Sequence, residues 1–255
     1  MRFFTYLSSL HNGMQSCDDT ATPLFILDRP NPNGAYVDGP ILEPDHASFV
    51  GMHPIPVLHG MTLGELGRML NGEGWLKGGE TCELTVVPMA NSSRHMPYAI
   101  TVRPPPNLPN VQAVQLYPSL ALFEATDISV GRGTAFPFQM LGGINPSFGS
   151  FSFTPISMPG SSKSPKQMDI VLYGEDLRFS EMHGLNISKF VEWHRKLKEQ
   201  NMTLITNPKW LAKLMGTEKF YNQLITGLSE QDIKKTWGSG LTKFKETRRK
   251  YLLYP

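Results

Sequence analysis

The sequence predicts an α/β fold, and three observations carry the prediction. A helical repeat, a short apolar run and a proline-rich polar loop follow one another within residues 3–34, the order found in the middle of an α/β unit. A second helix-then-strand succession occupies residues 62–87. After about residue 145 the texture turns Ser/Gly/Pro/Phe-rich and then helical. This divides the chain into residues 1–146 and a smaller α+β part, 147–255. A chain of 255 residues is long enough for one large or two modest domains with a real core.

The first helix is predicted over residues 3–16, because Phe3, Tyr6, Leu7 and Leu10 fall on one helical face. Leu24–Leu27 reads as a strand buried on both faces, with Asp28 at its carboxyl end and Pro30, Pro32 and Gly34 turning the chain away. Residues 35–61 read as loop with short extended pieces at 49–50 and 56–58. Thr62 and Glu65 have capping-box spacing, Leu63, Leu66, Met69 and Leu70 give a buried face, and Asn71-Gly72 ends the helix. Cys82–Val87 reads as a strand, and Arg103–Asn110 (RPPPNLPN) as a rigid extended connector. Met168–Tyr173 is a predicted strand. Asn186 caps a predicted helix with Ile187, Phe190, Val191, His194 and Leu197 inward. Phe220–Ile225 is a short helix closed by Gly227. A last helix, capped by Ser229, turns Ile233, Trp237, Leu241 and Phe244 inward and ends in bases that suit the helix dipole.

Composition narrows the function. A net charge of +2 gives no field to draw nucleic acid or a membrane surface, and the Thr247–Lys250 cluster (TRRK) is too short and terminal for a DNA site. No apolar run reaches the roughly 20 residues of a membrane span. The N-terminus has neither a long aliphatic stretch nor a signal-peptide cleavage site, so the chain as written does not read as addressed for export. No C-x-x-C, H-E-x-x-H, G-x-G-x-x-G or G-K-[ST] pattern occurs, so neither a metal nor a nucleotide cofactor is expected. The two cysteines, Cys17 and Cys82, are expected to be free, half-buried thiols.

Four clusters could carry chemistry. Asp28, Arg29 and Asn31 lie at a strand end, where α/β ligands bind; the bland alternative is an Asp–Arg pair stitching a loop. His59 precedes a helix N-terminus, whose dipole would keep the imidazole neutral; hydrogen bonding to a loop carbonyl would equally explain it. Glu124, Asp127, Ser129 and Arg132 crowd one polar stretch, with Arg132 between two glycines whose pliable backbone would admit a ligand; a structural ion pair is the alternative. Asn91–Arg94 and His95 read as a solvated loop.

Five stretches carry a family resemblance: RFFTYLSSL (2–10), LDRPNPNG (27–34), GPILEPDHASFVGMHPIPVLHGMTLGEL (39–66), LYPSLALFEATDISVGRGTAFPF (116–138) and the tail from Gln223 to Pro255. They resemble the NamZ-type exo-β-N-acetylmuramidases, glycoside hydrolases that release terminal N-acetylmuramic acid from peptidoglycan fragments. The match is thinnest over residues 72–100 and 147–216. The resemblance implies a partial Rossmann-like domain followed by a smaller α+β domain, with the sugar in a cleft between them. It places Asp28, Arg29, Asn31, His59, Glu124, Ser129 and Arg132 in family motifs; Asp127 joins them as a substrate-binding candidate. Arg132 or Arg29 would pair with the lactyl carboxylate of muramic acid.

The resemblance also implies further N-terminal residues carrying the opening strands and the catalytic glutamate. The chain is therefore expected to be truncated, its catalytic residues unknown, its first helix without a preceding strand, and its bared sheet edge prone to self-association. Family members are often exported. Two departures stand out: FEATD (123–127) replaces a more usual Glu-Gly-Thr-Asn, and NSSRH (91–95) lacks a tryptophan that would stack on sugar. A catalytically inactive sugar-binding remnant, and a domain binding a phosphate-bearing small molecule at the helix after Thr62, are the competing readings.

Overall fold

The computed structural model describes residues 1–96, 100, 102 and 105–255. It is a mixed α/β structure of two compact units. The first comprises Met1–Tyr98, Lys213–Thr217 and Asp232–Pro255; the second comprises Ala99–Ala212 and Glu218–Gln231.

In the first unit, helix α1 (Tyr6–Thr20) leads to strand β1 (Leu24–Leu27). An antiparallel pair follows, β2 (Val37–Ile41) and β3 (Pro56–His59), with a bulge between Asp38 and Ile41. Helix α2 (Leu63–Gly72) then leads to β4 (Leu84–Val87), which pairs with β1 in parallel, Leu24 beside Leu84 and Leu27 beside Val87. Leu7, Met14, Leu66, Met69, Leu70 and Phe244 build the core on one side of this pair. Gly64 and Gly67 let α2 lie directly on the strands: a β-carbon at Gly64 would come within 2.5 Å of Val86 and 2.8 Å of the Asp28 carboxyl carbon.

The other side of the pair corrects one expectation. Leu24–Leu27 is a strand, but it is not buried on both faces: Phe25 is 64% and Leu27 73% exposed, and Val87 on β4 projects outward with them. A second correction concerns the thiols. Cys17, in the last turn of α1, and Cys82, just before β4, are joined in a disulfide, because the β1–β4 register brings their segments together across 65 residues of sequence. In the polar 91–95 loop Asn91, Ser93 and His95 are exposed as expected, and only the Arg94 side chain departs from a solvated loop, being almost wholly buried.

In the second unit, helix α3 (Val111–Leu120) is capped by Asn110, whose Oδ1 accepts the Ala113 amide at 2.9 Å. The prolines before it and Pro118 within it hide this helix in the sequence. A 3-10 turn over Ala121–Ala125 follows. Strands β5 (Met140–Gly143), β6 (Phe151–Phe153) and β7 (Leu172–Asp176) form an antiparallel sheet in the order β5-β7-β6. The predicted strand at 168–173 is thus realised about four residues later. Helix α4 (Ser188–Glu199) buries Phe190, Trp193 and Leu197. Asn186 accepts the Ser188 amide at 2.9 Å, near the predicted cap.

Helices α5 (Pro208–Met215), α6 (Lys219–Ile225), α7 (Glu230–Lys235) and α8 (Gly238–Arg249) complete the chain. The single last helix expected from the sequence is two, interrupted at 236–237. Arg103 and Pro104, which open the predicted connector, lie outside the described residues. Its remainder is a turn, closed by the Leu108 amide on Pro105 O.

Candidate functional site

The candidates fall in two cavities, one in each unit. In the first unit, Asp28, Arg29, Asn31 and His59 line a cavity of about 230 Å³ together with Phe4, Ile26, Leu27, Met61, Leu63 and Leu66. Its polar groups are mostly engaged within the protein. The Asp28 carboxylate accepts Thr62 Oγ1 at 2.6 Å, the Gly64 amide at 2.9 Å and the Tyr254 hydroxyl at 2.8 Å. It therefore caps α2 and anchors the C-terminal tail, and it makes no side-chain pair with Arg29, which is exposed. Asn31 uses both ends of its amide, donating to Met61 O and accepting the Asn33 amide.

His59 is buried, and its Nδ1 accepts the Met61 amide at 3.1 Å. A neutral ring with Nδ1 as acceptor carries its proton on Nε2. Burial is the main reason its pKa lies well below the usual histidine range; the charges of the α-amino group, Arg248 and Arg2 add to it. The neutrality expected of His59 is met, with burial rather than the helix dipole as its main cause.

The N-terminus of α2 is already occupied. Thr62 and Glu65 form the reciprocal capping box the spacing predicts, and Asp28 takes the Gly64 amide. Glu65 is fully buried and receives two charge-assisted bonds from Arg94, at 2.7 and 3.1 Å, plus the Leu253 amide at 2.8 Å. Burial raises its pKa, but the Arg94, Leu253 and Thr62 donors outweigh burial and hold it below the usual value. Two carboxylates at this helix end leave no seat for a phosphate.

In the second unit, Glu124, Ser129 and Arg132 line a cavity of about 310 Å³ with Phe123, Ile128, Val130, Lys166 and Trp210. Arg132 donates through Nε and Nη2 to the same oxygen, Glu124 Oε1, at 3.1 and 2.5 Å, and stacks over Phe138 at 4.8 Å. Ser129 is buried, with its Oγ accepting the Gly131 amide. Gly131 and Gly133 are not a pliable hinge. Both have left-handed φ, and a β-carbon at Gly131 would strike Met140 at 2.5 Å. They fix the turn that aims Arg132 at Glu124.

Asp127 is exposed, accepts Thr206 Oγ1 at 3.2 Å, and lines an adjoining cavity of about 380 Å³ that also touches Lys166. Sequence reasoning missed Lys166 and Trp210. Lys166 lies in a Ser/Pro segment that reads as linker, and Trp210 in a helix with no site signal of its own. Among the described residues no cluster of three or more His, Cys, Asp or Glu side chains could hold a metal, and no helix is long and apolar enough to cross a membrane.

Comparison with known proteins adds a family to this geometry. Residues 1–112 match the family model described as "Exo-beta-N-acetylmuramidase NamZ, N-terminal", and residues 115–254 match the one described as "Exo-beta-N-acetylmuramidase NamZ, C-terminal". The chain is 33% identical over 275 residues to the "Peptidoglycan beta-N-acetylmuramidase NamZ" of Bacillus subtilis (strain 168), covering 99% of this chain and 64% of that protein. It thus spans less than two thirds of that relative's length. Two crystal structures of DUF1343 family proteins from Bacteroides fragilis are similar over the whole chain and 72% of theirs. One has a TM-score of 0.92 at 40% identity, the other 0.83 at 23%. The second likeness speaks for the fold alone.

Proposed function

The chain belongs to the NamZ exo-β-N-acetylmuramidase family, and from that premise we propose that it is the sugar-binding part of an exo-acting glycoside hydrolase. Its reaction would release terminal N-acetylmuramic acid from peptidoglycan fragments. The observation that carries this reading is the cavity of the second unit. There a half-buried Glu124–Arg132 pair, a hydroxyl and an indole converge on a concavity of about 310 Å³, near the lower end of the roughly 300–1,000 Å³ usual for small-ligand sites. Trp210 offers a face to a pyranose ring, and Glu124 accepts hydrogen bonds from sugar hydroxyls.

Glycosidic cleavage requires a general acid, usually with a second carboxylate. Asp28 is engaged by four donors and Glu124 by Arg132, so the roles proposed for them are binding and positioning. Arg29 and His59 Nε2–H are proposed as polar contacts of the first unit's cavity, and Asp127 as a contact at the rim of the second unit's cavities.

The Rossmann-like description belongs to the same reading. Its support is a parallel β1–β4 pair bearing α1 and α2 on one face, with Asp28 at the carboxyl end of β1. Parallel strands ordinarily bury both faces, so the bared Phe25, Leu27 and Val87 favour self-association of this chain. Light scattering should show a mass that rises with concentration and falls toward the monomer in Leu27→Thr.

The experiment for the main reading uses a disaccharide with N-acetylmuramic acid at its non-reducing end. Release of free N-acetylmuramic acid, followed by mass spectrometry, is expected. Binding without release would favour an inactive remnant, and neither binding nor release would refute the reading.

A further inference from the structure

We infer that Lys166 is the specificity-determining residue of the second unit's cavity, selecting a sugar that carries a carboxylate over one that does not. The inference rests on the sugar-site reading above and goes beyond it, because it moves the anion-recognising role from arginine to a residue outside the family-like motifs.

Lys166 is held by its surroundings. Pro165 packs on Gly133, where a β-carbon would meet it at 2.5 Å, and the Ile156 amide donates to Gly133 O. The segment after the β6 strand therefore lies along the 124–133 stretch. Gln167 continues the contact by donating to Asp127 O at 2.9 Å. From this position Lys166 Nζ donates to Glu124 O at 3.1 Å and to Thr126 O.

Both acceptors are neutral carbonyls. An ammonium group has three donors, and no third acceptor for Lys166 occurs among the described residues. Burial lowers its pKa from the usual lysine value, opposed by Glu124 and Asp127 and assisted by Arg132. Arg132 is placed differently: Nε and Nη2 both serve one oxygen of Glu124, so its charge is matched. Summed over Glu124, Arg132 and Lys166, this cavity carries one net positive charge, which Lys166 supplies and which Asp127, lining the adjoining cavity, opposes. Lys166 also borders the adjoining cavity lined by Asp127, Phe148, Leu197 and Met202. An acidic substituent on a ring seated beside Trp210 can therefore meet the ammonium where the two cavities adjoin.

The test compares N-acetylmuramic acid with its uncharged carboxamide by titration calorimetry, on the parent chain, Lys166→Met and Lys166→Arg. A charge-assisted contact implies that the parent prefers the acid by about tenfold or more. Lys166→Met should bind acid and amide alike, the larger loss falling on the acid, and Lys166→Arg should keep the preference. An acid preference surviving in Lys166→Met would overturn the inference and leave the sugar-site reading standing. Loss of both ligands in Lys166→Met would also overturn it, by making Lys166 a structural residue. Failure of the parent chain to bind either sugar would overturn both the inference and the reading beneath it.

Discussion

Asp28 shows how far a residue's place can be read and its job missed. Its position at a strand end is plain in the sequence. Its partners are not, because one of them, Tyr254, lies 226 residues away. Asp28→Asn keeps the shape but weakens the four bonds to a buried carboxylate. A loss of about 2–4 kcal/mol in urea denaturation is expected, with the tail loosened because the Tyr254 hydroxyl loses its acceptor. Arg94 was misjudged for the same reason: its buried partners, Glu65 and the Tyr254 carbonyl, are remote in sequence.

Two buried histidines set the pH dependence. His53, stacked on Trp75 at 5.0 Å, has its pKa lowered from 6.5 to about 4, by burial first and by His11 second. His59 shifts the same way. Both are favoured neutral in the fold, so the unfolded chain binds more protons below pH 6.5. Their contribution is full above that value and is lost as pH falls toward the folded pKa. Between pH 7.5 and 5, His53 alone should cost about 2 kcal/mol. The depressed pKa of Glu65 adds a further loss only below about 4.5. Denaturant midpoints at the two pH values check this, and His53→Phe, which keeps an aromatic on Trp75, should flatten the profile.

Among the elements, local chemistry decided which could be read. Helix α2 was legible end to end because its capping box, apolar face and Asn-Gly terminus are all local signals. Strand β2 was not, because Val37–Ile41 holds Gly39 and Pro40 and is extended only by pairing with β3. The Cys17–Cys82 bond needs the β1–β4 register, which no spacing rule supplies. Such a bond is of the kind that persists in oxidising compartments. Thiol titration of the unfolded, unreduced chain should find no free thiol, and reduction should release two. Replacing both cysteines by serine should cost about 4 kcal/mol, from the loop-closure entropy of a loop of this length. Two titratable thiols without reductant would contradict the pairing.

At the scale of the whole molecule, the sequence conveyed the α/β class, the family motifs and all eight candidates, seven of which line the cavities of about 230 and 310 Å³, with Asp127 on the adjoining one. The chemistry that joins Lys166 and Trp210 to that set comes from tertiary packing of a Ser/Pro segment and a helix without motif. Such packing leaves no local pattern. The proposed seat of a carboxylate-bearing amino sugar is this second-unit cavity, which Trp210 lines. The most direct measurement is the Trp210 indole N–H resonance, assigned by Trp210→Phe, during titration with N-acetylmuramic acid and separately with N-acetylglucosamine. A saturable shift with the first, at about tenfold or more lower concentration than with the second, is the expected result. An indole signal that stays still, or that moves equally with both sugars, would contradict it.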